Sequence, residues 1–134
     1  MSMAQEQKEL LLKDLCARLP YGVKVQTTYI NPQTKERKDI GTDVLSTVEI
    51  SMLIDGYEEH KPYLFPLTSM TEEQRKEYDS IIYHSVELHY DRYYEVIDVD
   101  SFKELQDFYH INHLDYRGLI PMGLANDCTN LNIY

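Results

Sequence analysis

Between Arg18 and Val23 the chain changes the spacing of its apolar residues, and that change restricts the fold more than any other feature. Over residues 4–19, Leu11, Leu12, Leu15, Cys16 and Leu19 recur at helical intervals. Lys8, Glu9, Lys13, Asp14 and Arg18 fall on the opposite side, so an amphipathic helix is expected, with Cys16 as a small core residue. Pro20 cannot continue a helix, and Gly22 opens a new element. From Val23 to Ile30, Val23, Val25 and Tyr29 alternate with Lys24, Gln26 and Thr28, the period of a strand with one buried face.

The same reading continues downstream. Asn31-Pro32-Gln33-Thr34 signals a turn, and the charged run Lys35–Asp39 reads as a loop extending to Gly41. Val44, Val48, Ile50, Met52 and Ile54 alternate with Thr47, Glu49 and Ser51, which predicts a strand over 44–54 paired antiparallel with 23–30. Asp55-Gly56 is a tight turn, and a third strand follows over 57–65, with Pro62 on its edge and Pro66 ending it.

Ser69-Met70-Thr71-Glu72 reads as a capping box, so a second helix starts near Met70, with Tyr78, Ile81, Ile82, Ser85 and Leu88 on its core face. Tyr93, Glu95, Ile97 and Val99 against Tyr94, Val96 and Asp98 look like a strand. Asp100 or Ser101 caps a third helix over 102–113, with Phe102, Leu105, Phe108 and Tyr109 inward. Beyond Leu114 the backbone is irregular, and residues 129–134 form a short polar tail with a final aromatic. One domain over residues 1–134 is expected, of the α+β class: a small antiparallel sheet of three or four strands covered on one face by about three helices.

Charge narrows the partners. The chain holds 23 acidic and 13 basic side chains, net -10. Residues 61–134 carry 13 acidic and 6 basic, against 10 and 7 in residues 1–60. Such a field repels phosphate backbones and anionic lipid, so no direct nucleic-acid or membrane contact is expected; it would suit a partner with a basic surface, although the preferred reading of the acidity is that it serves solubility. Twelve tyrosines suit half-exposed surfaces, although most are expected in the core in place of Phe or Leu. Two distant thiols, Cys16 and Cys128, make no disulfide framework, and the polar N-terminal stretch has no signal-peptide pattern.

Chemistry-bearing residues concentrate in 107–125. His110 and His113 lie three apart on the predicted helix, with Asp107 and Asp115 flanking them. Imidazoles and a carboxylate at that spacing could ligate zinc, but a histidine at a helix C-terminus is favoured by the helix dipole alone, and no HExxH or Cys pair accompanies them. No metal and no cofactor is expected. His60, His84 and His89 read as exposed or partly packed without a role. Arg117 can grip a carboxylate or phosphate in bidentate fashion and present itself with Tyr116 to a partner. Alternatively Asp115 pairs with Arg117 as an internal clamp while Leu119, Ile120, Met122 and Leu124 plug the core, and this reading is preferred. No Gly-x-Ser-x-Gly elbow, Gly-rich phosphate loop or distinctive carboxylate pair marks a catalytic residue.

Three blocks carry a resemblance: Arg18-Leu19-Pro20-Tyr21-Gly22-Val23-Lys24, the segment from Lys61-Pro62-Tyr63-Leu64 to Ser69-Met70-Thr71-Glu72-Glu73, and His113 to Ala125 with Asp115-Tyr116-Arg117-Gly118-Leu119-Ile120-Pro121. Together they cover about half the chain, and it resembles a family of short proteins encoded by phages and mobile elements of gut Bacteroidetes. That family commonly has two adjacent histidines where this chain has Asn112-His113, and its acidic, apolar tail differs from Asn126-Asp127-Cys128-Thr129. The resemblance implies origin in such an element and a cytoplasmic location in the bacterial host. It brings no activity with it.

The expected function is therefore a small acidic non-enzymatic binding protein acting on a host or phage protein. The alternative is a small-ligand binder or hydrolase with a pocket at Tyr109, His110, His113, Asp115, Tyr116 and Arg117. A third reading is an acidic mimic of nucleic acid. The six residues just named are the candidate binding set, and no catalytic residue is assigned.

Overall fold

The computed structural model describes residues 4–88 and 99–134. Helix α1 (Gln5–Arg18) runs into a 3-10 turn over Leu19–Tyr21, where Gly22 at φ 71 reverses the chain. Strand β1 (Lys24–Ile30), strand β2 (Arg37–Val44), helix α2 (Thr47–Ile54) and strand β3 (Glu58–Leu64) follow. A 3-10 turn over Leu67–Ser69 leads to helix α3 (Glu72–Leu88). Helix α4 (Val99–Ile111) and the two-residue strand β4 (Asn126–Asp127) complete the described elements.

The sheet order is β2-β1-β3-β4. The β1–β2 and β1–β3 ladders are antiparallel, and β3–β4 is parallel, so the α+β class holds while the sheet is mixed. β1 lies between β2 and β3, and Val25 and Thr27 are buried in alternation along it, as a strand with one buried face requires. No helix among the described residues is long and apolar enough to cross a membrane.

The hairpin partner of β1 is not the expected one. The charged run Arg37–Asp39 is strand, and residues 47–54 are helix. Both errors have a local cause. Asn31 Oδ1 accepts from the backbone N–H of Gln33 and Thr34, and Lys35 adopts φ 63, so the turn closes within five residues and the charges begin the returning strand. β2 is exposed along its whole length, so hydrophilic side chains there cost no desolvation. A bulge opposite Thr27/Thr28, with Gly41 at φ 111, bends this edge.

Over 47–54, a capping box overrides the period-2 pattern. The Ser46 side chain caps the backbone N–H of Val48, and Glu49 reaches back to the Ser46 backbone N–H and hydroxyl. Leu53 is buried and Ile50 half-buried, at the i, i+3 spacing of a helix face. Ser46→Ala should lower stability by about 1 kcal/mol. A urea melt reads this, and no loss would mean that α2 is held by Leu53 alone.

Other boundaries also move. Helix α3 begins two residues later than expected, because Thr71 and Gln74 form the reciprocal cap while the Ser69 hydroxyl donates to the Pro66 carbonyl. Asp100 and Ser101 lie inside α4 rather than capping it. Of the expected strand over 93–99, only Val99 is described, and it is helical. The Ser85 and Leu88 side chains also lie outside what is described. Pro62 is on an inner strand. Ile30 N donates to Tyr57 O, which by alternation makes Val25–Pro62 a non-hydrogen-bonded pair, so the proline nitrogen faces away from β1, just ahead of β4.

Two apolar clusters form. The first joins Leu11 and Leu15 of α1 with Val23, Val25, Leu45, Leu53, Leu64, Leu119, Leu124 and Ala125. The second joins Ile81, Leu105, Phe108, Tyr109 and Leu114, with Phe65 and Tyr116 at its margin. Ile81 therefore belongs with the α3–α4 pair and not with the sheet core expected for it. Cys16 is exposed, and Asp14 and Arg18 are buried, the reverse of their expected sides. Phe102, expected inward, is exposed, and so is Tyr29 on the margin of β1.

Candidate functional site

Three connections bring the candidate residues together: the C-terminal end of α1, the end of α4 and the irregular chain after it. The pivot is a residue pair that sequence reading put in solvent. Leu11, Asp14, Leu15 and Arg18 stand at i, i+3, i+4 and i+7, one unbroken stripe of α1, and all four are buried. Within it Arg18 Nε donates to Asp14 Oδ2 at 2.8 Å, and Arg18 Nη2 donates to the Leu114 carbonyl at 2.6 Å. The signal was present: a complementary charge pair at i, i+4 in phase with two leucines.

Arg117 completes the cluster from the loop. Its Nε donates to Asp14 Oδ1 at 3.0 Å. The expected Asp115–Arg117 pair does not form. Asp115 instead accepts from the backbone N–H of Leu119 at 2.8 Å and Ile120 at 2.9 Å, so its carboxylate closes the loop itself. Two orphan amides within reach of one carboxylate outcompete a guanidinium two residues away, because the loop must satisfy its own buried donors.

Tyr116 is the platform of the site. The guanidinium carbons of Arg18 and Arg117 lie 5.3 and 5.0 Å from its ring centroid. The ring stacks on Tyr109 at 4.7 Å and 13°. Its hydroxyl lies 2.8 Å from His110 Nε2. The His110 ring also packs against Tyr21, whose hydroxyl donates to Asp107 Oδ1 at 2.7 Å and is pushed up in pKa by that bond.

His113 leaves this group. Helix α4 ends at Ile111 and His113 takes φ 54, so the two imidazoles do not share a helix face. His113 stacks instead on Tyr134 at 3.8 Å and 12°. The polar tail is thus anchored: the Tyr134 hydroxyl donates to Tyr63 O and accepts from Lys24 N, and Lys24 Nζ donates to Ile133 O. Burial pushes the Tyr134 hydroxyl up to about 12. Asp107 and the two histidines are each engaged separately, and among the described residues no group of three His, Cys, Asp or Glu converges on one point.

His60, read as exposed or partly packed, is fully buried beneath α2, with Nδ1 3.0 Å from Thr27 Oγ1. Burial lowers the pKa of His60, His110 and His113; for His113 the fall is from 6.5 to about 4, with Arg18 and Lys24 adding repulsion. In the unfolded chain these rings titrate near 6.5. Between pH 6.5 and 4 the unfolded state therefore binds more protons, and stability falls as pH drops through that window. Below about 4, where folded His113 also protonates, its contribution to the loss stops growing. His113 alone accounts for about 3 kcal/mol across the window. Urea melts at pH 7, 5.5 and 4 should show this decline, and His113→Gln should flatten it.

The chemistry available here is recognition by cation, aromatic face and neutral imidazole. A depression of about 170 Å³ is lined by Leu67, Thr68, Met70, Arg75 and Tyr78; none of the six candidate residues lines it, and it adjoins them through the contact of Tyr78 with Tyr109. Comparison of the chain with protein-family models, with curated proteins and with solved structures gives no match.

Proposed function

We propose that this chain is a small acidic, non-enzymatic binding protein of a phage or mobile element, working by contact with a protein that has a basic surface. The observation that carries this reading is the surface of α3 and α4. Tyr78 meets Phe108 and Tyr109, and Ile81 clusters with Leu105, so the two helices pack antiparallel. Each helix also leaves one large ring in water: Tyr83 of α3 is 71% exposed and Phe102 of α4 is 52% exposed. Large exposed rings are the usual anchors of a protein interface.

The surrounding charge selects the partner. Residues 72–88 and 99–111 carry eight acidic (5 and 3) and three basic (2 and 1) side chains, net -5, half the charge of the whole chain. Exposed rings on two helices of that charge favour a basic partner, whose approach the field also steers. The bonds that engage Asp14, Arg18, Asp115 and His110 internally support a binding role over a reactive one.

The test is affinity capture from the bacterial host with the wild-type chain and with a Tyr83→Ser/Phe102→Ser variant. A basic protein retained by the first, lost by the second and released by salt is the expected result. Retention by both would remove α3 and α4 as the contact. Release by added duplex DNA would instead favour nucleic-acid mimicry.

A further inference from the structure

Arg117 answers both sequence readings at once, and its unused half carries the inference. One edge of the guanidinium is held internally: Nε donates to Asp14, and the plane lies over Tyr116, itself stacked on Tyr109. The opposite edge, Nη1 and Nη2, has no acceptor among the described residues, and the side chain is 20% exposed. Nε anchoring fixes where that free edge points, so a ligand would not have to order the side chain. Beside it, the Cβ direction of Gly118 faces open space.

We propose that the outward edge of Arg117 is a recognition site for a single carboxylate, bound end-on by two parallel N–H···O bonds. The charge of the cluster supports this. Arg18 and Arg117 share the one carboxylate of Asp14, so the three side chains sum to +1, while Asp115 is turned onto the amides of Leu119 and Ile120. Arg18 Nη1 is buried with no partner, so the cluster is short of acceptors. One negative charge balances it. A phosphate dianion would overshoot, and the net charge of -10 would penalise it twice over. A planar carboxylate also matches the fork of the guanidinium. The site is independent of the surface assigned to α3 and α4.

Acetate, a blocked dipeptide with one glutamate side chain, inorganic phosphate and chloride are titrated into the chain at constant ionic strength, following the Arg117 15Nε signal and the amides of 116–118. The expected result is saturable shifts with both carboxylates and none with chloride, absent in Arg117→Ala and about tenfold weaker in Arg117→Lys. Tighter binding of the peptide than of acetate assigns the site to an acidic side chain of a partner, and equal binding assigns it to a free acid. Phosphate binding tighter than acetate, or chloride reproducing the shifts, overturns the proposal. If Arg117→Ala does not fold, the Arg117→Lys and chloride-matched titrations still decide it.

Discussion

Replacing Arg18 with alanine is expected to destabilise the chain by about 3–5 kcal/mol, the usual cost of breaking a buried ion pair from one side. Arg18 is 0% exposed and makes two short bonds, to Asp14 Oδ2 and to the carbonyl of Leu114. Its loss leaves that carbonyl with only the Tyr116 N–H at 3.1 Å, opens a cavity the length of the side chain, and removes one of two cations from the ring of Tyr116. Asp14 would keep Arg117 on its other oxygen, so the residual carboxylate is not isolated. Asp14→Leu should be at least as damaging, because it leaves two guanidiniums facing each other without an anion. Chemical denaturation of both variants is the measurement. An Arg18→Ala chain with wild-type stability would show that the α1 stripe is not packed against the chain after α4.

Leu119→Ala should cost about 2–5 kcal/mol, the range for a leucine removed from a closed core. The loop from Asp115 to Ala125 is core material: Leu119, Leu124 and Ala125 pack with Leu11, Leu15 and Val25, and Ile120 lies partly buried against them. Met122, expected inward with them, is 47% exposed. Met122→Ala should therefore change stability by no more than about 0.5 kcal/mol, which gives an internal control in the same loop. Thermal melts of the two variants side by side decide it. Equal effects would mean that the loop does not dock as a unit.

The readings that survived rest on short-range physics. The period of residues 4–19, the stop at Pro20, the alternation from Val23 and the non-repeating backbone around Gly118 and Gly123 each depend on neighbours within a few positions. They were enough for the α+β class, for α1, β1 and β3, for α3 and α4 within a few residues, and for a core role for Leu119 and Leu124. Where local signals compete, the stronger one sets the element: Ser46 and Glu49 form a capping box within a stretch of period-2 alternation, and the cap makes it helix.

The site is a different matter. That Asp115 folds back on Leu119 and Ile120 could be suspected from distance along the chain. That Arg117 reaches Asp14, 103 residues away, could not, because a guanidinium has many carboxylates to choose from and only the packing of α1 against the loop brings one within 3.0 Å. Burial of Asp14 and Arg18 likewise follows from what covers the stripe, not from the stripe. Local sequence, through backbone sterics and periodicity, determined which segments are helix, strand or irregular. Tertiary structure decided which charges are taken out of water and with whom they pair, because desolvation and ion pairing depend on the environment that distant segments create.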